Sequence, residues 1–171
     1  MREAVAPVYL RRCRDDVLTE LPEKIEQDQW LRPTEEDRKE YILSVMSKNF
    51  MAMRRVSWDT KDLSRSAKAQ RLLEILDEAK AEGRKVIVFT YFLTTLAGDN
   101  VFGPINGSVP AAKRQETVDA FSAAPEGAVL VSQITAGGTG LNIQAASVVV
   151  FCEPQIKPSL ETQAISRAYR M

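Results

Sequence analysis

The sequence predicts an α/β fold with a mostly parallel central sheet covered on both faces, preceded by a helical N-terminal segment. Three observations carry that expectation. The runs Lys85-Val86-Ile87-Val88-Phe89-Thr90, Ala128-Val129-Leu130-Val131 and Ser147 to Phe151 are short and largely apolar, so each reads as a strand, the second of them buried. Helical patterns alternate with these runs, which is the βαβ order of a parallel sheet with right-handed crossovers. Glycines at 137, 138 and 140 cluster just past the second run. Open α/β sheets gather their ligands beyond such strand ends.

At 171 residues the chain can bury one sizeable core, or a core with a small appendage. Its 44% hydrophobic and 27% charged residues suit a soluble globular domain. Lys+Arg and Asp+Glu both number 23, so any surface for a polyanion must be local. No apolar run nears the ~20 residues of a membrane span, and no signal-peptide pattern opens the chain. The well-separated Cys13 and Cys152 suit a reducing, cytoplasmic setting. With no histidine and only these two cysteines, a Ser-His or Cys-His triad and a structural zinc site are excluded by inventory, and no metal ligands are expected.

Residues 1–27 read as a tether, in which Arg11-Arg12-Cys13-Arg14 is either an exposed basic linker or a phosphate- or lobe-contacting arm. Residues 28–62 read as a helical segment packed on the lobe. Thr34 caps its start, the acids 35–37 suit the positive end of the helix dipole, and Ile42, Val45, Met46, Phe50 and Met53 form an apolar stripe. From 63 the main lobe begins. Ser66 is expected to cap a helix whose buried face is Leu72, Leu73, Leu76 and Ala79, with Gly83 ending it. The strand through Lys85–Thr90 is central, and a short helix is expected over 92–97. The connection from Tyr91 to Val101 is short for a parallel crossover, which normally takes about a dozen residues. Val101–Ile105 reads as a strand that Pro104 confines to an edge or a strand end. A helix then starts near Pro110, with Val118 and Phe121 inward.

Two stretches carry chemistry. The glycine loop after Gln133-Ile134-Thr135-Ala136 is either a plain turn or a place where bare backbone approaches an anion or a neighbouring domain. Near the C-terminus Gln163, Arg167 and Arg170 fall at i, i+4 and i+7 and share one helix face, while Leu160, Ala164 and Ala168 form an inward stripe. Arginines in line are either solvated or built for phosphate, because guanidinium keeps its charge and donates in a planar fork.

Ala136-Gly137-Gly138-x-Gly140-Leu141-Asn142 followed by Ala145-Ala146, together with Gln163-x-x-x-Arg167-x-x-Arg170, resembles motifs five and six of Swi/Snf-type superfamily-two helicases, in wording closest to bacterial members. Val86–Phe92 resembles motif four, Asn106-Gly107-Ser108 with Arg114 the next family block, and Tyr9-Leu10-Arg11-Arg12 through Leu21-Pro22-Glu23-Lys24 the segment joining two lobes. The resemblance spans about residues 8–171. It implies the C-terminal RecA-like lobe of a DNA-dependent ATPase, a three-layer fold that works with an N-terminal lobe of the same polypeptide on double-stranded DNA. It implies that Arg170 is the γ-phosphate finger, that Arg167 supports it, and that Gly138, Gly140, Asn142 and Gln163 lie near the nucleotide. Thr90, Tyr91, Arg114, Gln133 and Thr135 are implied nucleic-acid contacts. ATP and Mg2+ are expected mainly on the other lobe, since this chain has no Gly-x-x-x-x-Gly-Lys-Ser/Thr and no Asp-Glu-x-His. The fragment alone is therefore expected to be inactive. In the whole protein it implies an ATP-dependent DNA helicase or translocase, monomeric and nucleoid-associated on DNA, with no membrane partner.

Two departures limit the analogy. Many relatives carry Ser-Thr or Thr-Lys where this chain has Ile134-Thr135, so a lysine charge is missing. Ile156 stands where remodellers carry a tryptophan, so nucleosome coupling is not implied. The alternative from another class is a non-catalytic nucleic-acid-binding or regulatory module derived from such a motor. A small-molecule-binding α/β domain is disfavoured because it leaves the Gln163–Arg167–Arg170 face unexplained.

Overall fold

Four parallel strands, β1 (Val86–Phe89), β2 (Val101–Ile105), β3 (Val129–Ser132) and β4 (Val148–Phe151), form a sheet in the order β2-β3-β1-β4. The structure, a computed structural model, describes residues 25–58, 62, 65–92, 98–137 and 143–168, with only the backbone for 137, 167 and 168. Residues 30–170 group as one unit; of the other, 1–29 with 171, the described residues 25–29 are exposed and without regular structure. The expected helix over 92–97 lies largely outside the described residues.

Around the strands run α1 (Glu35–Met46), α2 (Phe50–Arg55), α3 (Ala67–Ala81), α4 (Ala111–Ala123), the single turn α5 (Ile134–Gly137) and α6 (Pro158–Ala168). Alternation along the strands sorts their side chains into two cores. Ile87, Phe89, Leu130 and Ile105 pack with Val118 and Phe121 of α4 and Ala164 of α6. Val86, Val88, Val129 and Val131 pack with Ala69, Leu72 and Ala79 of α3 and with Trp58. The result is the expected three layers, with β1 central and β2 at an edge.

Pro104 explains why β2 is peripheral: its register with β3 shifts between Phe102 and Ile105, so the residue without an N–H stands at the irregularity. Gly103 reaches φ +105 there. Gly83, at φ +68, closes α3 as its sequence position predicts.

The cap of α3 differs from expectation. Ser66 occupies the N-cap position but makes no side-chain cap bond. The helix start is served by side chains from upstream: Asp37 Oδ2 accepts from Ala67 N–H (3.4 Å), and Ser57 Oγ accepts from Lys68 N–H (3.0 Å) while donating to Asp37 Oδ2 (3.0 Å). The same carboxylate closes the capping box of α1, accepting from Thr34 N–H (3.0 Å) as Thr34 Oγ1 accepts from Asp37 N–H (3.1 Å). One buried acid thus holds two helix starts together. Asp37→Ala is expected to cost about 2–4 kcal/mol, a lost cap plus further bonds to a carboxylate. Asp37→Asn, which keeps one acceptor oxygen, is expected to cost less. Urea unfolding of the chain measures both, and a loss under about 1 kcal/mol for alanine would contradict the shared-cap role.

This network also corrects the reading of α1. The predicted apolar stripe does not face inward: Ile42, Val45, Met46 and Phe50 are 51%, 44%, 76% and 52% exposed, and the residues α1 buries are Asp37 and Ser44. Asp37 must face α3 to reach Ala67, and that turns the stripe outward. Nor is the segment one helix. It breaks at Ser47–Asn49, where Lys48 takes φ 52 and Asn49 caps α2 by accepting from Ala52 N–H (3.0 Å). On α3, Leu73 is 38% exposed instead of buried, and Ala69 takes the inward position.

Candidate nucleic-acid interface at the strand exits

Parallel strands in matched register bring their C-terminal exits abreast. Phe89 pairs with both Ser132 and Phe151, and Ile105 pairs with Ser132. Thr90-Tyr91, Asn106-Gly107, Gln133 and Cys152-Glu153 therefore share one sheet edge, the edge where open α/β sheets bind ligands. Ladder bonds extend past the strands: Thr90 N–H donates to Ser132 O (3.1 Å), Gln133 N–H to Ile105 O (2.8 Å) and Cys152 N–H to Phe89 O (3.0 Å).

Glu153 organises this edge. It is 2% exposed, and its carboxylate joins the exits of β4 and β1, accepting from Thr90 Oγ1 (3.0 Å) and from Tyr91 N–H (2.9 Å). Burial raises its pKa above the ordinary carboxylate range, opposed by those two hydrogen bonds and by the charges of Lys68 and Arg54. Burial likewise lowers the Lys68 ammonium, against the attraction of the Glu153 and Asp37 carboxylates. Burial and then the neighbouring Glu153 charge push the Cys152 thiol up.

Thr90 is not presented to solvent. It is 5% exposed, its hydroxyl donates to Glu153, and its Oγ1 accepts from Phe92 N–H (3.1 Å), because the burial of β1 continues one residue past the strand. Its hydroxyl holds the exit in shape. Tyr91 is 48% exposed, with the Arg54 guanidinium 5.7 Å from its ring centroid and Phe92 edge-on at 5.9 Å. Arg114 braces the turn after β2, donating from Nε to Val109 O (2.6 Å) and from NH2 to Gly107 O (3.1 Å). Asn106 Oδ1 supports the same turn by accepting from Ser108 N–H (2.9 Å) and Ser108 Oγ (2.6 Å).

Gln133 is half-buried at the β3 exit and Thr135 is exposed in the turn that follows. Gly138, Gly140, Asn142 and Arg170 lie outside the described residues. On α6, Ala164 is 1% exposed and Leu160 packs on the core, as the inward stripe predicts, while Gln163 is exposed. Arg167 follows Gln163 one turn later along the same helix.

Two groups escaped sequence reasoning. Glu153 stood in a segment read only for its missing tryptophan. Arg54 and Arg55 end α2, where Phe50 and Arg54 stand four apart and the guanidinium lies 6.0 Å from the Phe50 ring. The Phe50-x-x-x-Arg54 spacing is the signal that could have found them.

Comparison with known proteins places the chain. Residues 67–171 match the profile of the helicase conserved C-terminal domain. An uncharacterized ATP-dependent helicase of Mycoplasma genitalium is 29% identical over 202 residues, an alignment covering 100% of this chain and 20% of that protein. A counterpart from Mycoplasma pneumoniae is 30% identical over 201 residues, covering 100% of this chain and 19% of that protein. The chain therefore spans about a fifth of the length of these relatives. The C-terminal domain of a SWI2/SNF2 ATPase from Sulfolobus solfataricus has the same fold, with a TM-score of 0.62 at 21% identity over 80% of this chain and 76% of that one. The chain belongs to the helicase conserved C-terminal domain family, with the RecA-like fold of a SWI2/SNF2 C-terminal lobe.

Proposed function

We propose that this lobe serves a DNA-dependent ATPase that translocates on duplex DNA, delivering arginines to ATP and Mg2+ held mainly by an N-terminal lobe of the same polypeptide. The observation that carries the reading is one α/β edge bearing the motif-four and motif-five exits abreast, with the Gln163–Arg167 face of α6 in the same unit. Phosphoryl transfer needs positioned positive charge where the γ-phosphoryl group gathers negative charge, and an arginine supplied from a second domain meets that need.

Within that reading the roles separate by chemistry. Arg170 neutralises the transferring phosphoryl group and Arg167 supports it, with Gln163, Gly138, Gly140 and Asn142 around the nucleotide. Gln133 and Thr135 offer donors to a DNA phosphate. Thr90 and Arg114 act through the backbone they hold, Thr90 fixing the exit that carries Tyr91 and Arg114 fixing the Gly107–Val109 turn.

The test compares ATP turnover by the isolated chain and by the protein carrying both lobes, each with and without duplex DNA. The expected result is no turnover above background from the chain and duplex-stimulated turnover from the two-lobe protein, since two arginines alone are not a preorganised site. DNA-independent turnover, or none, in the two-lobe protein would favour the non-catalytic binding module.

A further inference from the structure

We infer that Arg54 and Arg55, at the end of α2, form a phosphate-contacting pair that extends the duplex-binding edge from the sheet onto the helical segment. The inference rests on the reading of that edge as a nucleic-acid interface, and it adds residues from outside the helicase motifs.

Arg54 sits at the junction of the two exits. Its guanidinium lies 5.7 Å from the Tyr91 ring centroid and 6.0 Å from that of Phe50, and its NH2 donates to Pro154 O at 3.3 Å. Arg55 lies 5.8 Å from the ring centroid of Phe92, and the Phe92 and Tyr91 rings meet edge to face. Two guanidiniums and three aromatic rings thus interleave beside the ends of β1 and β4. Aromatic faces restrain a guanidinium without consuming its N–H donors, so Arg55 and the Arg54 donors beyond the one given to Pro154 O can meet phosphate oxygens.

Neither arginine is neutralised by an ion pair among the described residues; the nearby acid Glu153 gives its oxygens to Thr90 and Tyr91. Arg55 and Tyr91 are exposed and Arg54 is half-buried, so the charge reaches solvent. The arrangement also revises Tyr91. With Arg54 over its ring, Tyr91 acts as a platform that aims the cation. A chain with equal numbers of acidic and basic residues needs such local, unpaired charge to hold a polyanion.

The ligand chemistry is the phosphodiester backbone, which gives a quantitative test. Each phosphate neutralised contributes about −0.9 to the slope of log Kobs against log salt concentration. Binding of the chain to a short fluorescein-labelled duplex is measured by anisotropy across a salt series for wild type, Arg54→Gln, Arg54→Lys and Arg55→Gln. The expected result is a slope shallower by about 0.9 for each glutamine variant and unchanged for lysine, which keeps the charge. Arg55 is exposed, so Arg55→Gln decides the matter if a melting curve shows Arg54→Gln to be misfolded. A normal wild-type slope that both folded glutamine variants retain would overturn the assignment of this pair alone. A wild-type slope near zero would overturn the pair and the duplex-binding edge together.

Discussion

Gly103→Ala is expected to destabilise the lobe by roughly 3 kcal/mol or more, while Gly107→Ala changes stability by no more than about 0.5 kcal/mol. The two glycines stand four residues apart on the same edge strand and its turn, so the contrast isolates one cause. Gly103 has φ +105, a conformation that L side chains rarely adopt, and a Cβ there would strike the Val131 carbonyl oxygen on the neighbouring strand. That oxygen is backbone in a fully buried strand, so it cannot swing aside as a side chain would. Relief requires β2 to leave β3, and Ile105, 1% exposed at the end of β2, would be drawn out of the core with it. At Gly107 no atom lies within 4 Å of the place a Cβ would take, so alanine meets open space. Urea unfolding followed by far-UV circular dichroism measures both. A Gly103→Ala loss below about 1 kcal/mol would mean the strand relaxes freely at this point.

The fold was legible where local chemistry and burial agree. Val86–Phe89 and Val129–Ser132 are buried throughout, so composition alone identifies them as inner strands. Gly83 and Pro104 act through backbone conformation, a property visible in any sequence. Legibility failed where a distant polar partner decided the outcome. No periodicity in Ile42, Val45, Met46 and Phe50 announces that Asp37 will be drawn to Ala67 and will turn those side chains outward. The Ser66 cap failed for the same reason: a carboxylate from α1 reached the helix start. At the candidate site, the strand exits that carry the family motifs fall together on one edge, but the division of labour there was not legible. The Thr90 hydroxyl is given to Glu153, and two of the five N–H donors of Arg114 are given to turn carbonyls, partners that come from other strands and turns. Arg54 becomes prominent only when α2 meets the exits of β1 and β4, about 40 and 100 residues further along the chain.

Arg170→Ala, in a protein that joins this lobe to the proposed N-terminal lobe, is expected to lower the kcat for ATP by about 10³-fold or more while leaving most nucleotide binding intact. Arg170 follows Arg167 by three residues and Gln163 by seven, one face of a helix by spacing. Its proposed task begins only when negative charge redistributes on the γ-phosphoryl oxygens, so its loss falls on the transition state and not on the bound substrate. Arg170→Lys is expected to recover activity only in part, because an ammonium is a point charge and cannot donate two parallel bonds to phosphate oxygens. Arg167→Ala is expected to lower kcat as well and to weaken nucleotide affinity, in keeping with a contact already made in the ground state. The measurements are steady-state turnover with saturating duplex, a nucleotide titration by fluorescence, and a melting curve for each variant. Because α6 is anchored on the core through Leu160 and Ala164, trimming a side chain at 170 is expected to leave the melting temperature near that of the parent. Near-parental kcat in a folded Arg170→Ala protein would remove the finger role from this residue. The strand-exit edge would then stand as a nucleic-acid-binding surface without a part in hydrolysis.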